Sequence, residues 1–453
     1  MAWSSAVAPT FDLLVRGGTC VLHRGLARVD LGVIGGRVAA IGELATADAT
    51  QVLDARGLHV LPGVIDTQVH LREPGFEAKE TIRSGTEGAV LGGVTSVLEL
   101  PDTRPPTITA AALEDKISRA RERSWCDFAC FLGASTEVDE QSRLERLPGC
   151  AGVAVYMSGQ PRQLLVDDDD LLLRVLGRGH RRLSVHCEDE SRVLARFALV
   201  EAGAEPSAHA QWRDVDVAAR ATQRLLGLAR RAGRRVHLMH LSSAEECALA
   251  TQNRDLATAG VTVHHLTLSA PGCYERLGTR AQLLPPIRDE AHTAALWQAV
   301  QDGVIDLVAS DHAPHSLEDK RRDYPASPAG APGVQTLLPV MLEHVHAGRL
   351  TLTQLTELLA NGPARAYNMA RKGRIAVGLD ADLCLVDLAA ERVIEDAWIV
   401  SRSGWTPYDG MRVHGWPVAT VLRGQILVRD EQLIGEQDGA PIRFADTLRM
   451  VAL

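Results

Sequence analysis

From Pro62 to about residue 370 the chain alternates short apolar runs with amphipathic stretches. The runs are Val64–Leu71, Val94–Leu100, Asp127–Leu132, Gly152–Met157, Leu183–His186, Arg235–His240, Val261–His265 and Ile305–Ser310. Each is short and rich in β-branched or apolar residues, as buried strands are. The segments between them carry helical spacing. Thr109, for example, precedes a run with Leu113, Ile117 and Ala120 on one face, and its hydroxyl suits an N-cap. Strand and helix alternating eight times predict an α/β protein built on a (β/α)8 barrel. Residues 11–60 read instead as short strands with Gly17-Gly18 and Gly35-Gly36 turns, and β patterning returns after about residue 370. The expected organisation is a barrel over 61–372 beside a small β domain assembled from 1–60 and 373–453.

The polar residues of this pattern gather where the apolar runs end. The first run closes on Gln68, His70 and Arg72, each two apart and so on one face of a strand. The second leads to Asp102 and the fifth to His186, Glu188 and Asp189. The sixth carries His237 and His240, the seventh His264 and His265, and the eighth leads into Ser310-Asp311-His312-Ala313-Pro314-His315. Each alone reads as a core strand with a capped end. Together they lie where an α/β barrel keeps its chemistry. Three imidazoles and a carboxylate suit a borderline divalent ion such as zinc with one position left open. Such an ion lowers the pKa of bound water to ~7 and polarises a carbonyl. Asp311 is the candidate to take a proton from water and return it to a leaving nitrogen. The run Asp167–Asp170 reads differently, because acidic residues at a helix start are favoured by the helix dipole.

Composition narrows the function classes. A net charge of -9 and the lack of a basic run with interleaved aromatics argue against nucleic acid. No apolar run approaches the ~20 residues of a membrane span. Met1 to Pro9 lacks the pattern of a secretory signal, so a cytoplasmic protein is expected. The eight cysteines form no Cys-x-x-Cys pair and read as buried thiols, Cys187 beside His186 included. Of 48 basic residues only Lys79, Lys116, Lys320 and Lys372 are lysines. The Pro- and Gly-rich segment Asp319–Gly333 reads as a mobile lid or substrate loop.

At these same residues the sequence resembles the dihydroorotases, of the cyclic amidohydrolase branch of the amidohydrolase superfamily. The resemblance rests on PGVIDTQVHLREPG (62–75), KETIRSGTEGAVLGGVTSVLELPDTRPPT (79–107), VHCEDE (185–190), HLMHLSSAEE (237–246), SDHAPHS (310–316) and DADLCLVD (380–387). It implies the reversible closure of N-carbamoyl-aspartate to dihydroorotate, in pyrimidine synthesis. It also implies His70, His186, His240 and Asp311 as metal ligands, with Asp311 doubling as acid and base. Arg72 would hold a substrate carboxylate with His315.

Four departures qualify it. Gln68 replaces the first histidine of the family's His-x-His, as in a subgroup that this sequence resembles. Ala154 stands where that subgroup keeps a lysine whose carbamate bridges two metals, so one zinc per chain and no such bridge are expected. Asp102 puts a carboxylate where the family has an asparagine, a repulsive neighbour for an anionic substrate unless it is protonated or turned onto Arg72. Leu284 removes a polar contact. Three readings follow. The first is a one-metal cyclic amidohydrolase acting on dihydroorotate or another cyclic ureide, expected as a homodimer. The second is a non-catalytic subunit in an aspartate carbamoyltransferase assembly, and the third an allantoinase or hydantoinase.

Overall fold

The computed structural model describes residues 10–448 apart from positions 45, 137 and 202. Met1 to Pro9, the segment read for a secretory signal, lies outside the described residues.

Eight parallel strands form one sheet in sequential order. Strand one is Val64–Val69, two Val94–Glu99, three Asp127–Gly133 and four Cys150–Tyr156. Strand five is Leu183–His186, six Val236–Leu238, seven Ala257–Thr262 and eight Leu307–Ala309. At the end of strand one and just beyond strand eight the sheet closes on itself. Val69 bridges His312 in parallel, with the His70 N–H donating to the His312 carbonyl at 2.7 Å and the His312 N–H to that of Gln68 at 3.2 Å. The closed sheet is a (β/α)8 barrel. Its interior is filled by Ile65, Leu98, Phe131, Ala154, Met239 and Leu307, so it is a packed core and not a pore.

The helices begin where side chains can satisfy their free N–H groups. Thr109 accepts from the Ala112 N–H and starts Ala110–Arg123, with Leu113 and Ala120 buried. Asp168 accepts from the Leu171 N–H, which accounts for the four-aspartate run as a helix start. Strand seven departs from expectation. It begins and ends earlier than Val261–His265, because Thr262 caps a short helix, Val263–Thr267, by accepting from the His265 N–H. His264 and His265 therefore lie on a helical turn, not at a strand end.

Two further sheets are built from both ends of the chain. One joins Phe11–Arg16, Asp30–Ile34, Arg37–Gly42 and Ala49–Asp54. Gly35 and Gly36, both at positive φ, make the hairpin between Asp30–Ile34 and the edge strand Arg37–Gly42. In the other, His59–Pro62 pairs with Leu383–Val393, and that pairing joins the N-terminal strands to the C-terminal ones. The Gly63 N–H donates to the Asp382 carbonyl at 2.8 Å, so this small β domain is tied to the barrel where strand one begins. All eight cysteines are buried and free. Among the described residues no helix is long and apolar enough to cross a membrane.

Candidate active site

The C-terminal strand ends surround a cavity of about 260 Å³. Its lining includes Gln68, His70, Arg72, Asp102, His186, His240, Asp311 and His315, which brings together every residue the sequence pointed to for metal, substrate or proton transfer. Leu284 lines it too. Two of these residues carry backbone strain. Arg72 and Asp311 sit at φ of 61° and 48°, in the left-handed region that side chains other than glycine and asparagine or aspartate avoid. Such conformations cost about 1–3 kcal/mol each and collect at functional sites. Here they turn both side chains into the cavity just past the strands.

The four candidate metal ligands form two pairs. His70 Nε2 lies 3.5 Å from Asp311 Oδ1, and Gln68 Nε2 donates to the same oxygen at 3.3 Å. Opposite them, His186 Nδ1 and His240 Nε2 are 3.0 Å apart. No three of these four residues offer donor atoms within 4.8 Å of one another. Among the described residues only Asp127, Asp380 and Asp382 do so. That cluster already encloses a cation, since Lys372 Nζ lies 2.5, 3.3 and 2.5 Å from the three carboxylates.

Each half of the active site has its tautomers set by a neighbouring carboxylate. Burial alone would raise the Glu188 carboxyl, but Arg213 and His186 outweigh it and hold it at about 2. Glu188 therefore accepts from His186 Nε2 at 3.1 Å and from Arg213 Nη1 at 2.5 Å, which leaves His186 Nδ1 as a lone pair facing His240. Burial pushes His240 down to about 3, so it is neutral. On the other side His70 Nδ1 lies 2.6 Å from Asp102 Oδ1, which turns Nε2 toward Asp311. Imidazoles whose second nitrogen is held by a carboxylate are the usual form of metal-ligating histidines. The donor set, three imidazole nitrogens and a carboxylate, fits a borderline divalent ion.

Asp102 is turned onto Arg72. Arg72 Nη1 donates to Asp102 Oδ2 at 2.9 Å. Burial would raise this carboxyl, but His70 and Arg72 outweigh it and hold it far below the usual carboxylate range. His315 completes the group. Its Nδ1 lies 3.1 Å from Lys79 Nζ, an ammonium that can only donate. Its Nε2 lies 3.4 Å from Arg72 Nη2, which also can only donate, so the ring with its single N–H accepts from one of the two cations. The Arg72 guanidinium and the His315 ring thus stand side by side at the cavity wall.

Four histidines of the strand-end set stay out of the cavity, His312 among them, its Nε2 3.2 Å from Glu80 Oε2 and its Nδ1 accepting from the Gly333 N–H at 3.1 Å. His237 Nδ1 bonds Thr258 Oγ1 at 2.9 Å and its ring packs edge-on against Tyr367. His264 stacks on Tyr408 with Nδ1 2.8 Å from its hydroxyl, and His265 bridges Thr262 Oγ1 and the Pro285 carbonyl. The sequence reading passed over Tyr156, Ser158, Gln160 and Met239, which also line the site. For Tyr156 the signal was present, because it is two residues beyond Ala154 on the same face of strand four. The Asp319–Gly333 segment begins with part of a short helix, Leu317–Lys320, and brings Ala329 and Gly330 to the cavity. A Cβ on Gly330 would meet the Ala313 carbonyl at 2.5 Å, so only glycine permits that approach.

A family model described as the amidohydrolase family matches residues 59–427, the whole barrel and its junction with the small β domain. The chain belongs to the amidohydrolase family. It is a hydrolase of the branch that acts on cyclic amide C–N bonds. A dihydroorotase from Methanothermobacter thermautotrophicus is 33% identical over 426 residues, covering 94% of this chain and 96% of the relative. An allantoinase from Deinococcus radiodurans is 34% identical over 447 residues, covering 96% and 99%. Among solved structures, an L-hydantoinase (dihydropyrimidinase) from Arthrobacter aurescens superposes with a TM-score of 0.91 at 29% identity, covering 96% of this chain and all of that one. Amidohydrolases of three substrate names thus match it at similar identity, and the substrate has to be argued from the cavity.

Proposed function

We propose that this amidohydrolase hydrolyses, and in reverse closes, a cyclic ureide that carries a carboxylate, with dihydroorotate as the first substrate. The observation that carries this reading is the Arg72 guanidinium at the cavity wall, with His315 beside it. A guanidinium fork suits the two oxygens of one carboxylate, and His315 Nε2, 3.4 Å from Arg72 Nη2, packs against it. His70, Asp311, His186 and His240 would hold zinc, one ion per chain, since Ala154 offers no bridging group between the two pairs. Bound there, zinc supplies Lewis-acid polarisation of the carbonyl and makes water acidic near neutral pH.

The remaining steps belong to the chain's own side chains. Arg72 and His315 fix the ring by its carboxylate. Gln68 and His70 both address Asp311 Oδ1. Oδ2 is then the edge left to take the proton of the attacking water and pass it to the ring nitrogen as the C–N bond breaks. Burial would raise the Asp311 carboxyl, but His70 outweighs it and holds it at about 2, so the base starts ionised. Metal content of protein from zinc-supplemented growth, with turnover of dihydroorotate, hydantoin and allantoin, tests the reading. About one zinc per chain and a preference for dihydroorotate are expected; a preference for either neutral ring overturns the substrate.

Asp102 favours the second reading, a neutral ureide, because its charge offsets that of Arg72. The Asp102→Asn variant separates the two. Removing the carboxylate leaves Arg72 a full charge for the substrate while an amide oxygen still accepts from His70. KM for dihydroorotate is expected to fall about tenfold, ~1.4 kcal/mol, with KM for hydantoin unchanged. Equal effects on both rings would place the substrate carboxylate elsewhere.

A further inference from the structure

Strand four also supplies the cavity with a phenol. Ala154 stops at Cβ within the apolar interior of the barrel. Tyr156, on the same face, lines the cavity with His70, Asp102, His186 and Asp311, its ring centre 6.1 Å from that of His186. The residue is 4% exposed, yet its hydroxyl has no hydrogen-bond partner among the described residues. A buried polar group left unpaired costs about 1–3 kcal/mol. Burial, with the charges of Asp102 and Asp311 nearby, holds the phenol well above its usual range. The group therefore remains O–H and can donate. A fixed donor beside a general base, in a cavity for cyclic amides, has a natural acceptor: the carbonyl oxygen that gains charge when water adds.

Resting on the cyclic-amidohydrolase reading above, we propose that Tyr156 is a catalytic residue whose phenolic O–H donates to the carbonyl oxygen of the scissile ring amide. As the water oxygen bonds to the carbonyl carbon, the C=O π pair moves onto that oxygen and the Tyr156 hydrogen bond strengthens without proton transfer. Asp311 holds the water's proton meanwhile. The C=O bond then re-forms, the C–N bond breaks, and the proton passes to the departing nitrogen. One amide and one water give one carboxyl group and one N–H, with no other reactant. Strand four thereby contributes to catalysis through a hydrogen-bond donor.

A catalytic donor and a structural one predict opposite stability effects for Tyr156→Phe in the full-length, zinc-loaded protein. Loss of a donor to a developing oxyanion typically costs about 10²–10³ in kcat. A fall of about 10²-fold in kcat is expected, with KM within threefold and a thermal midpoint equal to or above that of the wild type. A kcat within threefold overturns the proposal, as does a lowered midpoint accompanied by zinc loss. If the wild type turns over no cyclic amide, the functional reading falls and calorimetry with orotate, which is not hydrolysed, decides. Binding weakened fivefold or more by Tyr156→Phe keeps the donor. Equal binding, or none to either protein, removes it.

Discussion

Asp311→Asn is expected to lower kcat about 10³-fold in protein reconstituted to the wild-type zinc content. A positioned general acid or base contributes roughly 10²–10⁴-fold, and Asp311 is assigned both halves of the proton transfer. The substitution isolates that role. Asparagine adopts the left-handed backbone as readily as aspartate, so the φ of 48° at this position is not a new cost. Its amide oxygen can still face His70, and it fills the same volume. What it lacks is a group that carries a proton between water and nitrogen. Metal analysis and single-turnover kinetics on the same preparation check the point. Lost turnover with retained metal assigns the proton to Asp311. A kcat within tenfold of wild type would move the base elsewhere in the cavity, which Glu188 does not line.

The cavity was legible because its residues obey a short-range rule. Gln68 lies in strand one and His70 and Arg72 follow it within three residues, as Asp311 and His315 follow strand eight within a few. A barrel then delivers strand ends to one face whatever the intervening sequence. The rule fails where a local hydrogen bond competes with the strand. Thr262 could extend strand seven or cap a helix, and its hydroxyl caps, so His264 and His265 leave the expected face. It fails also where a group's state depends on distant partners. Asp102 could be neutral, repulsive or paired. Pairing wins because His70 and Arg72 both reach it across 30 or so positions, and strand periodicity does not encode that. Tyr156 shows a third kind of failure. Attention to the missing lysine at Ala154 hid the residue two positions on, although the same alternation places both inside.

Lys372→Met is expected to destabilise the protein by about 3–5 kcal/mol, the range for breaking a buried ion pair from one side. Lys372 Nζ is the hub of Asp127, Asp380 and Asp382, and all four side chains are at most 8% exposed. Arg423 also pairs with Asp127, and Arg371 with Asp380 at 3.2 Å. Three carboxylates face three cations, so removing the central one leaves a buried excess of negative charge. The position of the cluster gives it leverage. Asp127 opens strand three, Asp382 immediately precedes Leu383–Val393, and the Arg423 N–H donates to Asp382 at 2.9 Å. Losing the hub loosens the small β domain from the end of the barrel away from the catalytic cavity. Burial would raise Asp127, but Lys372 and Arg423 outweigh it and hold it low, so its pairing stabilises the fold above the ordinary carboxylate pKa and is lost as pH falls through the depressed value. In the variant that carboxyl has less reason to stay ionised. The gap between the two proteins should therefore be widest near neutral pH and narrow as pH falls toward 4. Urea midpoints at several pH values measure it. A difference under ~1 kcal/mol at pH 7, or one that widens on acidification, would mean that the aspartates find other cations or water when the lysine goes. Because the cluster touches no cavity residue, kcat per folded molecule should stay at the wild-type value throughout.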